Sequence, residues 1–140
     1  MAAKLRDAVA TARLDSRDAR LSRARRYIER RFDGPVAVSQ AAAVAGMSTS
    51  QFIRVFRAAH FQTPHQYITR LRIERARELL LAGESVTDVC LSVGFESLGS
   101  FSTLFRRYQG ESPTEFRERR HRTRRRGIPG CFLAMYAGAP

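Results

Sequence analysis

Cysteine is scarce, long apolar runs are missing and carboxylates are few. The two cysteines, Cys90 and Cys131, are too few and too far apart for a zinc ribbon or a disulfide framework. Cys90 lies in an apolar helical run and reads as a small buried hydrophobe rather than a redox thiol. His60, His65 and His121 form no ligand cluster with each other or with the cysteines, so no metal and no cofactor is expected. Nothing approaches the roughly 18 apolar residues of a membrane span. The N-terminus lacks the apolar core of a secretory signal. A cytoplasmic chain with no membrane partner is the expectation. Nor is there a phosphate-binding glycine loop, a carboxylate pair flanking a cleft or a nucleophile–histidine arrangement, which argues against an enzyme.

What is present is arginine. The 140 residues carry 24 Arg, one Lys and a net charge of +12. Such a balance favours polyanions over acidic substrates. Residues 1–33 carry +5, residues 34–116 only +1, and residues 117–140 +6. The flanks are basic and the middle is nearly neutral, so affinity for nucleic acid would come partly from the flanks and selectivity from the middle.

The middle repeats itself. Phe52, Phe56, Thr63, Pro64 and Tyr67 have counterparts 49 residues later in Phe101, Phe105, Ser112, Pro113 and Phe116. Ala45 and Gly46 match Val93 and Gly94 at a spacing of 48, so the second copy holds one extra residue in the turn after its glycine. Two copies are too few for a solenoid, which needs about three or more. A tandem pair of small helical units is the reading.

In each copy, a short helix ends at a glycine suited to the left-handed region (Gly46, Gly94), and a serine (Ser48, Ser97) caps the next helix. Helix, tight turn and second helix make a helix-turn-helix signature. In the first copy Phe52, Val55, Phe56 and Ala59 are expected to face inward, leaving Ser50, Gln51, Ile53, Arg54 and Arg57 outside. In the second, Phe101, Leu104 and Phe105 face inward and Leu98, Gly99, Ser102 and Thr103 outward. The phenylalanines recur at helical spacing and belong to the core rather than to base-stacking platforms. Thr63-Pro64 starts a connector helix closed by Gly83, about 28 Å long at 1.5 Å per residue. Its apolar positions fit no single stripe, so it should serve both halves. Ser112-Pro113-Thr114-Glu115 starts a last helix with cap, N1 proline and N3 glutamate. Ala37 stands where a capping hydroxyl is expected, which weakens its helix by about 1 kcal/mol.

The first 20 residues place Leu5, Ala8, Val9 and Ala12 on one helical face. They are either an amphipathic arm, part of a longer helix reaching residue 32, or a mobile leader. The seven arginines from Arg117 to Arg126 either follow DNA phosphates or form a charged tail. The apolar GIPGCFLAMYAGAP at 127–140 could fold back, mediate dimerisation or border another domain.

From about Leu21 to Arg120 the chain resembles the DNA-binding domain of the AraC/XylS family of bacterial transcription regulators. GFESLGSFSTLFRRYQGESPTEFRERR (94–120) resembles the family signature, and AAAVAGMSTSQFIRVFRAAHFQTPHQYITRLRIERARELL (41–80) is similar to its first unit and linker helix. The resemblance implies an all-α fold of about seven helices: two tandem helix-turn-helix subdomains joined by a long linker helix. Expected divisions are an arm at 1–20, a first subdomain at 21–62, a linker at 63–83, a second subdomain at 84–120 and a tail at 121–140.

Carried across, base-contact candidates are Thr49, Ser50, Ile53 and Arg54, then Leu98, Gly99, Ser102 and Thr103. Phosphate-contact candidates are Ser48, Arg57, Ser97, Arg106 and Arg107. A guanidinium can bridge O6 and N7 of guanine, worth about 1–3 kcal/mol of discrimination, which favours Arg54. Its alternative is a phosphate contact or a solvated charge. Ile53 suits a thymine methyl, or else packs. Leu98 and Gly99 depart from the longer polar groups common in the family and offer little hydrogen-bonding specificity. The second unit is therefore expected to position the protein or test DNA shape.

The implied function is a sequence-specific regulator, an activator in the first instance, with a non-palindromic site of about 20 base pairs in successive major grooves. Double-stranded DNA is the expected partner, with RNA polymerase a second, and the protein binds as a monomer. With about 20 residues before the first shared helix, a stand-alone short regulator and a fragment of a longer one are both open. The rival class is a non-specific, architectural nucleic-acid binder that relies on the basic flanks.

Overall fold

The structure, a computed structural model, describes residues 2–125. The apolar CFLAMY stretch, Cys131 and Arg126 lie outside the described residues. Seven helices and no strand are found among the described residues: α1 (Ala2–Arg31), α2 (Val38–Val44), α3 (Thr49–His60), α4 (Pro64–Leu81), α5 (Val86–Ser92), α6 (Leu98–Gln109) and α7 (Pro113–Arg125). No helix among them is long and apolar enough to cross a membrane. The described chain forms two compact units divided between Arg72 and Ile73, inside α4. The expected linker at 63–83 is thus one helix that gives its first half to one unit and its second half to the other.

The first unit packs Leu21, Ala24 and Ile28 of α1, Ala41 and Ala42 of α2, and Phe52 and Phe56 of α3 into one core. Alanine at the α1–α2–α3 contacts lets the helix backbones approach. Tyr67 and Ile68 complete it from α4. The Tyr67 hydroxyl donates to Glu29 Oε1 at 2.5 Å. Burial first, then that hydrogen bond, pushes its phenol up to about 12. Two arginines pin the turns that follow α1 and α2 in this unit. Arg72 donates to the carbonyls of Phe32 (2.6 Å) and Gly34 (3.0 Å), fixing the turn after α1. Arg20 donates to those of Ala45 (2.7 Å) and Gly46 (2.8 Å).

The second unit is built the same way around Ile73, Leu80, Val89, Cys90, Phe101, Phe105 and Phe116. Its phenylalanines form a chain of edge and tilted contacts, Phe95–Phe101–Phe105–Phe116, with centroids 5.2, 5.7 and 5.6 Å apart. Such contacts add about 0.5–1.5 kcal/mol each beyond burial. Cys90 is buried, and burial pushes its thiol up. Ile73, Met47 and Phe95 join the cores although the repeat pattern did not single them out. Met47 and Phe95 directly follow the turn glycines, so the turn itself aims them inward.

Helix α1 is unbroken from Ala2 to Arg31, so the expected boundary at residue 20 falls within it. No glycine or proline interrupts residues 2–33, and alanine and arginine are strong helix formers. Its first half has no core beneath it among the described residues: Leu5 is 72% and Val9 46% exposed. Helix α7 likewise passes the expected boundary at 120 and reaches Arg125. Arginines in its last turn complement the helix dipole. Ala59 was expected inward and is exposed. It lies at the end of α3, where His60 packs its ring at a tilt against Phe56 instead, centroids 4.5 Å apart.

Candidate nucleic-acid interface

Each unit presents one strongly amphipathic helix introduced by a tight turn. In the first, the N–H of Met47 donates to Ala42 O at 3.0 Å across Gly46, whose φ is 64°. In the second, Phe95 N–H donates to Cys90 O at 3.1 Å across Gly94, φ 94°. These six-residue closures are Schellman caps, and both require a residue in the left-handed region. The extra residue of the second copy is in the turn: Glu96 separates Phe95 from Ser97, whereas Met47 adjoins Ser48.

Ser48 Oγ then accepts from Gln51 N–H, and Ser97 Oγ from Ser100 N–H, both at 3.2 Å. Each serine is therefore an N-cap, and each still has its own O–H to give. The following helices, α5 included, start with similar devices. Ser85 accepts from Asp88 N–H and donates to the Asp88 carboxylate, a shorter acid than the glutamate of a full capping box. Ser112 and Glu115 close a complete box, each accepting from the other's backbone N–H. Helix α2 lacks one: Ala37 makes no side-chain cap.

On α3, Thr49, Ser50, Arg54 and Arg57 are exposed while Phe52 and Phe56 are fully buried on the other side. Ser50, Arg54 and Arg57 follow at spacings of four and three, which is one stripe of a helix. Arg54 and Arg57 enter no ion pair among the described residues. Ile53 stands apart. It is half-buried and packs on the first core, so one face of it is committed to structure.

On α6, Leu98, Gly99 and Thr103 are exposed and Ser102 is half-buried. Thr103 Oγ1 donates to Gly99 O at 2.9 Å, leaving its methyl and oxygen lone pairs to the outside. A side chain at Gly99 would meet nothing within 4 Å, so no neighbour requires glycine there. Arg107 is exposed. Arg106 is exposed but paired with Glu115 at 3.2 Å. The Ser112 backbone N–H first, then its hydroxyl and Arg106, hold the Glu115 carboxyl below its ordinary value. In α7, Arg117 donates to Gly83 O and Arg119 is clasped by Glu111, so these two serve the fold of the second unit.

Sequence reasoning missed Arg20. Its acceptors are main-chain carbonyls, which every residue carries, so no residue pattern announces the contact.

A helix-turn-helix domain family matches residues 41–119. Among similar proteins, the HTH-type transcriptional activator RhaS of Enterobacter sp. (strain 638) is 38% identical over 108 residues, 76% of this chain and 39% of RhaS. The chain thus spans about two fifths of the length of that relative. Among solved structures, the DNA-binding domain of AdpA, a global transcriptional factor in complex with a target DNA, superposes with a TM-score of 0.70 at 30% identity, covering 76% of this chain and 97% of that one. A transcriptional regulator of Chromobacterium violaceum with an AraC-type DNA-binding domain gives 0.67 at 30% identity, covering 74% and 93%. With a turn, a capped outward helix and a buried phenylalanine pair in each unit, and with these relatives, the chain belongs to the AraC/XylS-type family of helix-turn-helix DNA-binding domains.

Proposed function

We propose that this chain binds double-stranded DNA in a sequence-selective way and regulates transcription, with α3 and α6 entering successive major grooves. The observation that carries the reading is the division of α3 into a locked face and a free one. Phe52 and Phe56 fix the helix, and Ser50, Arg54 and Arg57 stand exposed in one stripe, with Thr49 exposed at the helix start. Arg54 reads guanine. Ile53, already half-committed to the core, offers its remaining edge to a thymine methyl. Ser48, Ser97, Arg57 and Arg107 hold phosphates, and Arg106 does so only by sharing Glu115.

In the second unit Leu98, Gly99, Ser102 and Thr103 provide few directional groups. That unit fits the backbone and senses DNA shape. The site is non-palindromic, because tandem copies in one chain repeat head to tail, and one molecule binds it. Activation through RNA polymerase, in a bacterial cytoplasm, follows the resemblance to regulators such as RhaS, named an activator.

Selection of bound sequences from a random duplex pool tests this reading. The wild type should enrich one site, and Arg54→Ala should change the base preference at one position. A uniform loss of affinity across all sequences would assign Arg54 to phosphate instead. Featureless protection in a footprint would favour the non-specific, architectural alternative.

A further inference from the structure

The first half of α1 has charges sorted by face. Arg6, Arg13, Arg17 and Arg20 follow at spacings of seven, four and three, which keeps them on one side of a helix. That side is continuous with the one that buries Ala24 and Ile28 further along. Asp7, Asp15 and Asp18 lie round the other side. Where the apolar stripe of α1 stops meeting a core, it becomes a stripe of arginine.

Arg20 fixes what this stripe looks toward. Its guanidinium bridges the carbonyls of Ala45 and Gly46, tying α1 to the turn that launches α3. Next to this clasp, Arg13, Arg17 and Arg20 line an open groove of about 420 Å³ together with Met47 and Gln51, and none of the described residues that line it is acidic. Gln51 is in the first turn of α3, beside its Ser48 cap. Arg13 and Arg17 are exposed, and neither enters an ion pair among the described residues. From Arg6 to Arg20 the stripe is about 21 Å long at 1.5 Å per residue.

We propose that this arginine-lined half of α1 is a second DNA-binding surface, gripping the sugar–phosphate backbone beside the groove that α3 enters. It rests on the DNA-binding reading above and adds to it. Arg20 holds the angle while Arg13 and Arg17 contact phosphates. Bare duplex backbone fits an open, basic, shallow groove with no carboxylate among the described residues that line it. These contacts carry no sequence information. They lengthen the footprint on the α3 side and raise the salt dependence of binding.

The test is a salt titration of duplex binding by fluorescence anisotropy, with hydroxyl-radical footprinting on the selected site. Each phosphate contact contributes about 0.9 to the slope of log K against log salt. Arg13→Gln/Arg17→Gln should lower the slope by about two units and shorten the footprint at the α3 end, while leaving the selected sequence unchanged. Lys4→Gln changes charge on the face away from the stripe and should leave slope and footprint as they are. An unaltered slope in the double variant, or an equal fall per charge in Lys4→Gln, overturns the proposal while the DNA-binding reading stands. Failure of the wild type to bind any duplex at low salt overturns both. Circular dichroism on each variant confirms that α1 remains helical.

Discussion

Phe61 and Gly110 occupy the same position in the two copies, 49 residues apart, and both end their outward helix in the left-handed region. Phe61 has φ 59° and donates its N–H to Arg57 O; Gly110 has φ 81° and donates to Arg106 O. Glycine adopts this conformation freely, whereas an L side chain there costs about 1–2 kcal/mol. Phe61 obtains no burial in return, being 93% exposed. Phe61→Gly is accordingly expected to stabilise the first unit by about 0.5–1 kcal/mol, after the chain entropy of glycine is offset. Gly110→Ala should destabilise the second unit by a similar amount. Denaturant midpoints compare them, and two changes of the same sign would contradict this account.

The Arg20 clasp makes a second prediction. Arg20→Ala leaves the Ala45 and Gly46 carbonyls without their charged donor, a loss of about 1–3 kcal/mol in urea unfolding. Arg20→Lys should recover only part of it, because an ammonium has no planar fork with which to bridge two carbonyls. Full recovery by lysine would show that charge alone matters at this turn.

Helix caps give a pair of opposite changes. Ala37 has the extended backbone of an N-cap but no side chain to accept from α2. Ala37→Ser should raise stability by about 1 kcal/mol, and Ser85→Ala, which removes the acceptor at α5, should lower it by about as much. Thermal melts followed by circular dichroism read both.

Gly99 trades stability for access. It sits in the first turn of α6 with open space around its Cα. Gly99→Ala should therefore stabilise α6 by about 0.5–1 kcal/mol. If α6 approaches the DNA backbone closely, the same change weakens duplex binding. A variant that is both more stable and equally tight in anisotropy would remove Gly99 from the interface.

His60 sets a pH dependence. Burial first, then the positive charge of Arg25, lowers its ring below the ordinary 6.5, with Glu29 opposing. The folded chain favours the neutral ring, so unfolding takes up a proton. Stability is full above pH 6.5 and falls as pH drops from there through the lower folded value. Proton NMR should place the His60 midpoint below 6.5, and His60→Gln should flatten the acid side of the stability profile. A midpoint above 6.5 would reverse the sign.

Much of this molecule is legible in its sequence because its signals are local. The turn glycines, the serine caps, the Ser112–Glu115 box and the phenylalanine spacing each depend on residues within a few positions of one another. Their joint recurrence at 48–49 residues defines two units before any coordinate is known. Ile53 shows where that logic stops: its spacing puts it on the outer side of α3, yet it is half-buried and packs against the first core. Met47 and Phe95 show the same from the other direction, since a turn rather than a helical period sends them inward.

Residue order alone settled the helical class, the duplication and which side of each outward helix is buried, because periodicity and capping act over one or two turns. Tertiary structure decided that α1 is one helix clasped to the α2–α3 turn, and that Arg20 and Arg72 are fold arginines while Arg54 and Arg57 enter no ion pair among the described residues. In a chain with 24 arginines, composition cannot make that distinction. The acceptors are backbone carbonyls 25 to 40 residues away, and only the folded path of the chain brings them within reach.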